Sequence, residues 1–209
     1  MYPTFTNNLE NLKVGDLIQL RKCLTDLFGV VPDTDWEMLT NELEYLHVLK
    51  YTNLKSIGQN DRYIWFVASG AVRIYEIQKN AECTLHFYVE NALFMDFHSS
   101  LFNNTAEYGI KTEEQCRLFR IHYNKILELY SNSVCLERIG RMLAEHQALV
   151  EYELRRFLLH MDASEKYAHL VQSYPYIFKR FAQKDIASFI GITPTSLSRL
   201  RKNRSLTAS

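Results

Sequence analysis

The residues of this chain best suited to chemistry lie near its end. In residues 183–202 (QKDIASFIGITPTSLSRLRK), Lys184, Thr193, Thr195, Ser196, Ser198, Arg199 and Lys202 set cationic and hydroxyl side chains at helical spacing. Arginine carries a fork of N–H donors that fits guanine O6 and N7, and hydroxyls reach base edges or phosphates. Lys184, at the start of the segment, suits a backbone phosphate. The chemistry these types offer is non-covalent recognition of a polyanion. The competing reading is an ordinary helical hairpin whose basic face is merely solvated.

Those side chains need two helices to position them. Ile186, Ile190, Ile192, Leu197 and Leu200 fall in register for the facing sides of two steeply crossing helices, with the small Ala187 where they approach. Gly191 can take the left-handed conformation that ends the first helix. Thr193 suits the N-cap of the second and Pro194 its first position. This is the spacing of a helix-turn-helix, which sets its second helix in the major groove of DNA. Charge agrees: residues 179–209 hold seven Lys or Arg and one acid, a net +6, although the whole chain is neutral and the remainder must be −6. The basic end is the electrostatic footprint, and the acidic remainder would repel DNA.

At 209 residues the chain has room for one cored domain and a small second one. With 47% apolar residues, disorder is not expected. The first eight residues lack the basic and apolar regions of a signal peptide, and no apolar run approaches membrane-spanning length, so a cytoplasmic chain without membrane contact is expected. Cys23, Cys83, Cys116 and Cys135 are scattered, which predicts free thiols and neither a metal nor an iron–sulfur site. There is no Gly-rich phosphate loop, no Gly-x-Ser-x-Gly elbow and no His pair at metal spacing, so an enzyme is not expected.

The first fifty residues read as helical, with Trp36, Leu39, Leu43 and Leu46 on one stripe and Asp33 or Thr34 as a cap. From about Tyr51 to Ile121 the pattern turns strand-like. Residues 62–70, 71–77, 82–89 and 115–121 are candidate strands, with residues 79–81 as a short hairpin loop. In residues 82–89, Cys83, Leu85, Phe87 and Val89 alternate with Thr84, His86 and Tyr88, which predicts two opposite faces. Several short strands suggest a barrel or sandwich.

Residues 131–161 read as one long helix. Leu136, Ile139, Leu143, His146, Val150, Leu154, Phe157 and Met161 advance in steps of three and four, beside the i,i+4 pairs Glu137–Arg141 and Glu151–Arg155. Such a stripe outruns what a small barrel covers, so it predicts a dimer seam. The alternative packs it against the chain's own barrel. Residues 162–165 form a capping box that opens a further helix, closed near Pro175.

This order of elements, with the segments FVASGAVRIY (66–75), DASEKY (162–167) and residues 183–201, resembles the Crp/Fnr family of bacterial transcription regulators. The likeness spans about residues 45–202 and looks most like the branch common in Bacteroidetes, where little follows the recognition helix. The resemblance implies an α+β fold. Residues 1–130 would hold the N-terminal helices and a double-stranded β-helix, a jelly roll like a cyclic-nucleotide-binding domain. Residues 131–161 would form the dimerisation helix and residues 162–209 the helix-turn-helix. It further implies a homodimer reading two half-sites of palindromic double-stranded DNA, an effector pocket in the roll, and RNA polymerase as a partner. By position, Lys184 and Thr193 would contact phosphate, while Thr195, Ser196 and Arg199 would face bases. Ala182 stands where a proline often precedes the Gln-Lys pair, which would loosen the helix start.

The roll departs from the cyclic-nucleotide-binding members. They hold the cyclic phosphate with a Gly-Glu and a later Arg-Ser or Arg-Thr, because an anion needs a guanidinium and N–H donors and a ribose hydroxyl needs a carboxylate. Here Met95-Asp96 replaces Gly-Glu, residues 103–105 are Asn-Asn-Thr, and no Arg occurs between Arg73 and Arg117. Cyclic AMP binding is therefore not expected. Asp96, His98 and Thr105 remain candidates for an altered pocket with an unknown small effector, and a surface turn is the rival reading. The amino-terminal cysteine cluster of oxygen-sensing members is also missing. Two functions stay open: a dimeric DNA-binding regulator, or a small-ligand-binding signalling module whose basic tail meets a protein partner.

Overall fold

The structure, a computed structural model, describes residues 5–60, 62–102 and 104–207. Asn103 and the first four residues of the amino-terminal stretch lie outside the described residues. In chain order the elements are α1 (Phe5–Phe28), α2 (Asp33–Asn41), β1 (Glu44–Val48), β2 (Asn53–Lys55), β3 (Tyr63–Ser69), β4 (Val72–Gln78), β5 (Ala81–Tyr88), β6 (Leu93–Met95), α3 (Phe97–Phe102), β7 (Gly109–Thr112) and β8 (Cys116–His122), followed by the helices α4 (Tyr123–Asn132), α5 (Val134–His160), α6 (Ala163–Ser173), α7 (Ile177–Arg180), α8 (Gln183–Phe189) and α9 (Pro194–Thr207).

The strands form two four-stranded antiparallel sheets, ordered β1-β8-β3-β6 and β2-β7-β4-β5. β3 is apolar on both faces because both are covered. Trp65 and Val67 point into the roll with Val72, Ile74, Phe94, Ile110 and Leu118. Ile64, Phe66 and Ala68 point out, onto Leu20, Leu24 and Phe28 of α1 and Ile126 and Leu129 of α4. Burying each such Leu, Ile or Phe contributes about 1.5–3 kcal/mol. α1 is also pinned by charge: buried Asp16 accepts from Arg117 Nε at 2.7 Å and from the Tyr45 hydroxyl at 2.5 Å.

Four local expectations are corrected. The stripe Trp36–Leu39–Leu43–Leu46 does not continue as a helix, since residues 44–48 are β1, paired antiparallel with β8. α2 begins after Pro32 with no side-chain cap from Asp33 or Thr34. Strand β5 does not alternate cleanly. A bulge shifts its register with β4, so that Ile74 opposes His86 while Tyr75 opposes Thr84. Phe87 and Val89 therefore pack on the C-terminal helices, whereas Leu85 packs on the core of the roll. Finally, the long helix starts at Val134: Ser133 ends α4 and caps α5, its hydroxyl accepting from Leu136 N at 3.0 Å. The hairpin loop reduces to Lys79 and Asn80, both left-handed (φ 49° and 64°) as a tight two-residue turn requires.

The apolar stripe of α5 meets three environments. Leu136 and Ile139 are buried in the core under α1, with Leu143 at its edge. Phe157 is buried, and Leu154 and Met161 partly so, against the C-terminal helices. Leu136, Ile139 and Phe157 are thus buried within the chain itself, whereas Leu143 and Leu154 are half-buried. Between them His146 and Val150 are exposed, with Leu149 and Tyr152 each 58% exposed beside them. The expected ion pairs of α5 are also exchanged: Arg141 meets Glu145, and Glu151 meets His86.

Gly70, in the β3–β4 turn, has φ +100°, and an added Cβ would lie 2.6 Å from Gln115 O and 2.9 Å from Cys116 Cα. Gly191 has φ +76° with open space around it. Gly70→Ala should therefore cost about 2–4 kcal/mol, strain and overpacking together, and Gly191→Ala only about 1 kcal/mol. Urea denaturation of both variants measures the difference.

Candidate nucleic-acid interface and effector cavity

α8 and α9 form the helix-turn-helix. Ile186, Ala187, Ile190 and Leu197 are at most 1% exposed, and Ile192 and Leu200 pack at the edge of the same core. Gly191 N donates to Ser188 O at 3.1 Å and Ile192 N to Ala187 O at 2.9 Å, closing the first helix. Thr193 caps the second: its Oγ1 accepts from Ser196 N at 3.2 Å and lies 2.9 Å from Ser196 Oγ. That sets apart two of the expected contact residues, because the Thr193 and Ser196 hydroxyls already bond to each other. Thr195, Ser198, Arg199 and Lys202 are exposed at i, i+3, i+4 and i+7, one face of α9, and Lys184 is exposed on α8. The capping box at the start of α6 is present, with Glu165 Oε2 accepting from Asp162 N at 2.8 Å.

What sequence reading missed is the mounting of this unit. Arg73, 2% exposed in β4, donates from Nε to Glu113 at 2.8 Å, from Nη1 to Thr84 Oγ1 at 3.3 Å, and also to Glu82. Its Nη1 lies 3.7 Å from Asp185 Oδ1 of α8. Burial pushes the Asp185 carboxyl above its ordinary value, and the Arg73 charge opposes that shift. Ala182 gives α8 no side-chain cap, so this ion pair, one turn in, helps to anchor the helix start that the missing proline would have loosened. Arg180 makes a second tie, to Glu90 at 2.6 and 2.9 Å and to Glu114 at 2.6 and 3.0 Å. The hydrogen bonds that Arg180 donates to Glu114 and then to Glu90 raise its pKa. Thr84 N donates to Ser188 Oγ at 3.0 Å, and Phe87 packs on Phe181 and Phe189 with ring centroids 4.3 and 5.2 Å away. The one signal in the sequence was an arginine in the middle of an apolar strand.

A cavity of about 680 Å³ lies between the roll, α5 and α8. Leu85, His86, Tyr88, Phe97 and Tyr108 line it from the roll, Gln147, Glu151, Leu154 and Arg155 from α5, and Phe189 from α8. His86 Nε2 bridges to Glu151 Oε1 at 3.1 Å, and this bond, ahead of an opposing effect of burial, holds the Glu151 carboxyl below its ordinary value. His86 and Tyr88 stack 5.6 Å apart, and Tyr88 stacks on Phe94 at 4.4 Å.

Of the residues expected to form a pocket, Asp96 and Thr105 do not line this cavity. Asp96 is buried beside α3, accepting from Lys55 Nζ at 2.7 Å and from Ser99 N at 3.0 Å. Burial alone would raise its pKa, but the hydrogen bonds from Lys55 and Ser99 outweigh it and hold the carboxyl below its ordinary value. Thr105 is exposed in the following loop, and the side chain of His98 lies outside the described residues. Asp96 is thus an internal ion-pair partner and not a wall of the cavity.

Neither a family model nor a curated relative matches this sequence. Solved structures do match its fold. FixK2 from Bradyrhizobium japonicum superposes with a TM-score of 0.65 at 15% identity, over 79% of this chain and 86% of that one. CLP, the c-di-GMP responsive global regulator of Xanthomonas campestris, gives 0.63 at 17% identity, over 85% and 93%. The sensor domain of the transcriptional regulator DNR from Pseudomonas aeruginosa gives 0.54 at 16% identity, over 70% and 95%. The fold is the one these structures share: a cyclic-nucleotide-binding-like roll, joined in the longer matches to a helical C-terminal unit. Among the described residues no helix is long and apolar enough to cross a membrane.

Stranding one partner of a buried ion pair costs about 3–5 kcal/mol, whereas an apolar replacement of both can be neutral. Lys55→Met should therefore destabilise the roll by about that amount, and Lys55→Met/Asp96→Leu should recover most of it in a urea titration. Because the folded-state pKa of Asp96 is lowered, its stabilisation is present above the ordinary carboxylate range and is lost as pH falls through the lowered value. The double variant should lack that part of the acid dependence.

Proposed function

We propose that this chain is a homodimeric, sequence-specific DNA-binding regulator of the Crp/Fnr type, not an enzyme, acting in the cytoplasm. The observation that carries the reading is the exposed row Thr195, Ser198, Arg199 and Lys202 on α9, held over a closed helix-turn-helix core. Arg199 reads a guanine, and Lys184 holds a backbone phosphate. The exposed middle of α5 supports self-association. Leu149 and Val150 line a groove of about 690 Å³, and a second copy of α5 is the natural cover. Two-fold pairing places the recognition helices about 34 Å apart and calls for a palindromic site. RNA polymerase is the further partner such a regulator would engage.

The effector site is the cavity between the roll and α5, and its ligand is not a cyclic nucleotide. The carboxylate at the expected ribose position is already neutralised by Lys55, and neither Arg73 nor Arg117 is free: Arg73 is enclosed by carboxylates and Arg117 holds Asp16. A cyclic phosphate beside Asp96 would thus find its carboxylate taken and neither of these two arginines available.

Selection from random DNA at low salt should enrich a palindrome. Arg199→Ala should weaken binding to it by about 1–3 kcal/mol and relax one base position, while Lys184→Ala should weaken all sequences alike and flatten the salt dependence by about one ion. The absence of any enriched site would favour the alternative, a ligand-binding module acting on a protein partner. In sedimentation, Leu149→Glu/Val150→Glu should convert a dimer into a monomer that stays folded; a parent chain already monomeric at micromolar concentration would refute the seam.

A further inference from the structure

We infer that the roll signals to the DNA-reading unit of its own subunit directly, through β5 and α8, and that the docked arrangement seen here is the weak-binding state. The inference rests on the functional reading above, taking the cavity as the effector site and α9 as the reading helix.

The geometry is a shared wall. Thr84, Leu85, His86 and Tyr88 of β5 border the cavity, while the same strand carries the contacts to α8. Thr84 is in both sets: it lines the cavity, its N–H donates to Ser188 Oγ at 3.0 Å, and its Oγ1 accepts from Arg73 at 3.3 Å. Phe189, at the end of α8, is itself part of the cavity wall and packs against Phe87. A ligand that more than fills the space beside Leu85 presses on Phe189, which belongs to the same wall. α8 cannot move alone, because Ile186 and Ile190 share one core with Leu197 of α9. Close-packed interfaces convert such a push into a switch between discrete positions.

The charges give the direction. Docking places buried Asp185 within 3.7 Å of Arg73 and sets α8 beside Glu82 and Glu113. Lys184, the proposed phosphate contact, is the next residue to Asp185, so docking fixes its place against the roll. Docking also holds the basic helix pair against a body of net −6, whose field repels the DNA backbone, so docking lowers affinity. Arg180 on α7 holds the root of the unit to Glu90 and Glu114, leaving the Phe189 end as the part that moves.

Asp185→Asn removes one tie without changing shape and touches none of the DNA-facing residues. In the full chain it should speed hydrogen exchange of the amides of residues 183–189 and raise affinity for the selected duplex about five-fold or more, while the amides of residues 64–68 keep their protection. Unchanged exchange, or unchanged or lower affinity, would overturn the inference. Leu85→Trp, which fills the cavity from the other side, should produce the same two changes, and adding Phe189→Ala should cancel them. If Leu85→Trp also unfolds the roll, Asp185→Asn decides alone. Repeating the exchange measurement in the Leu149→Glu/Val150→Glu background separates the two routes: the response should persist there, and its loss would assign the signal to the α5 seam and sink the proposal. A chain that binds no DNA at all would strike the functional reading, and the exchange measurements would still decide the coupling.

Discussion

A guanidinium taken out of water must be given carboxylates, and that constraint joins the two ends of this fold. Arg73 sits in β4 between Val72 and Ile74, both of which face the core of the roll. Its own sheet region supplies Glu82 and Glu113, and α8 supplies Asp185. Leaving a buried charge short of partners costs several kcal/mol, so the position of α8 is coupled to the integrity of the second sheet. The apolar contacts of Phe87 with Phe181 and Phe189 provide area, but area is non-directional. The ion pairs select one register of the C-terminal unit on the roll.

The helix-turn-helix was legible in the sequence because its local signals agree. Gly191 suits the turn, Thr193 the cap, and Ile186, Ile190 and Leu197 the shared core, and the structure places each accordingly. The roll was legible only where its strands were long. β3, β4, β5 and β8 carry seven or eight residues, whereas β2 and β6 have three and β7 has four. So few residues give too few alternations to reveal a period. β1 failed for a different reason: Leu43 and Leu46 extend the helical spacing of Trp36 and Leu39. Pairing with β8, far along the chain, decides the matter, and such tertiary terms are invisible to a local pattern. The bulge in β5 is the same kind of failure, since one unpaired residue reverses every side chain beyond it.

The site divides in the same way. The exposed face of α9 could be read from residue type and spacing, whereas the cavity could not, because its walls come from the roll, α5 and α8. The resemblance pointed to Asp96, and that residue is indeed buried beside a short helix. Its partner, Lys55, lies 41 residues earlier in a three-residue strand that no periodicity announces. A carboxylate already satisfied from inside has no unmet demand for a ligand, which moves the search for an effector to the His86–Glu151 bridge and the aromatic wall around it.

The division of charge along the chain takes on a second meaning in this light. Read as a sequence, the acidic body would only repel DNA from the wrong surface. In the structure, Glu82, Glu90, Glu113 and Glu114 of that body converge on Arg73 and Arg180, where they receive the C-terminal helices. Arg180 is one of the seven cations counted at the basic end, yet it is engaged by two carboxylates and is not available to phosphate. The electrostatic footprint offered to a polyanion is therefore smaller than the net +6 of residues 179–209. Among the described side chains of the helix pair, the exposed cations are Lys184 on α8 and Arg199, Arg201 and Lys202 on α9. Counterion release follows the phosphates actually neutralised, so the salt dependence of binding should track this exposed set and not the composition of the tail.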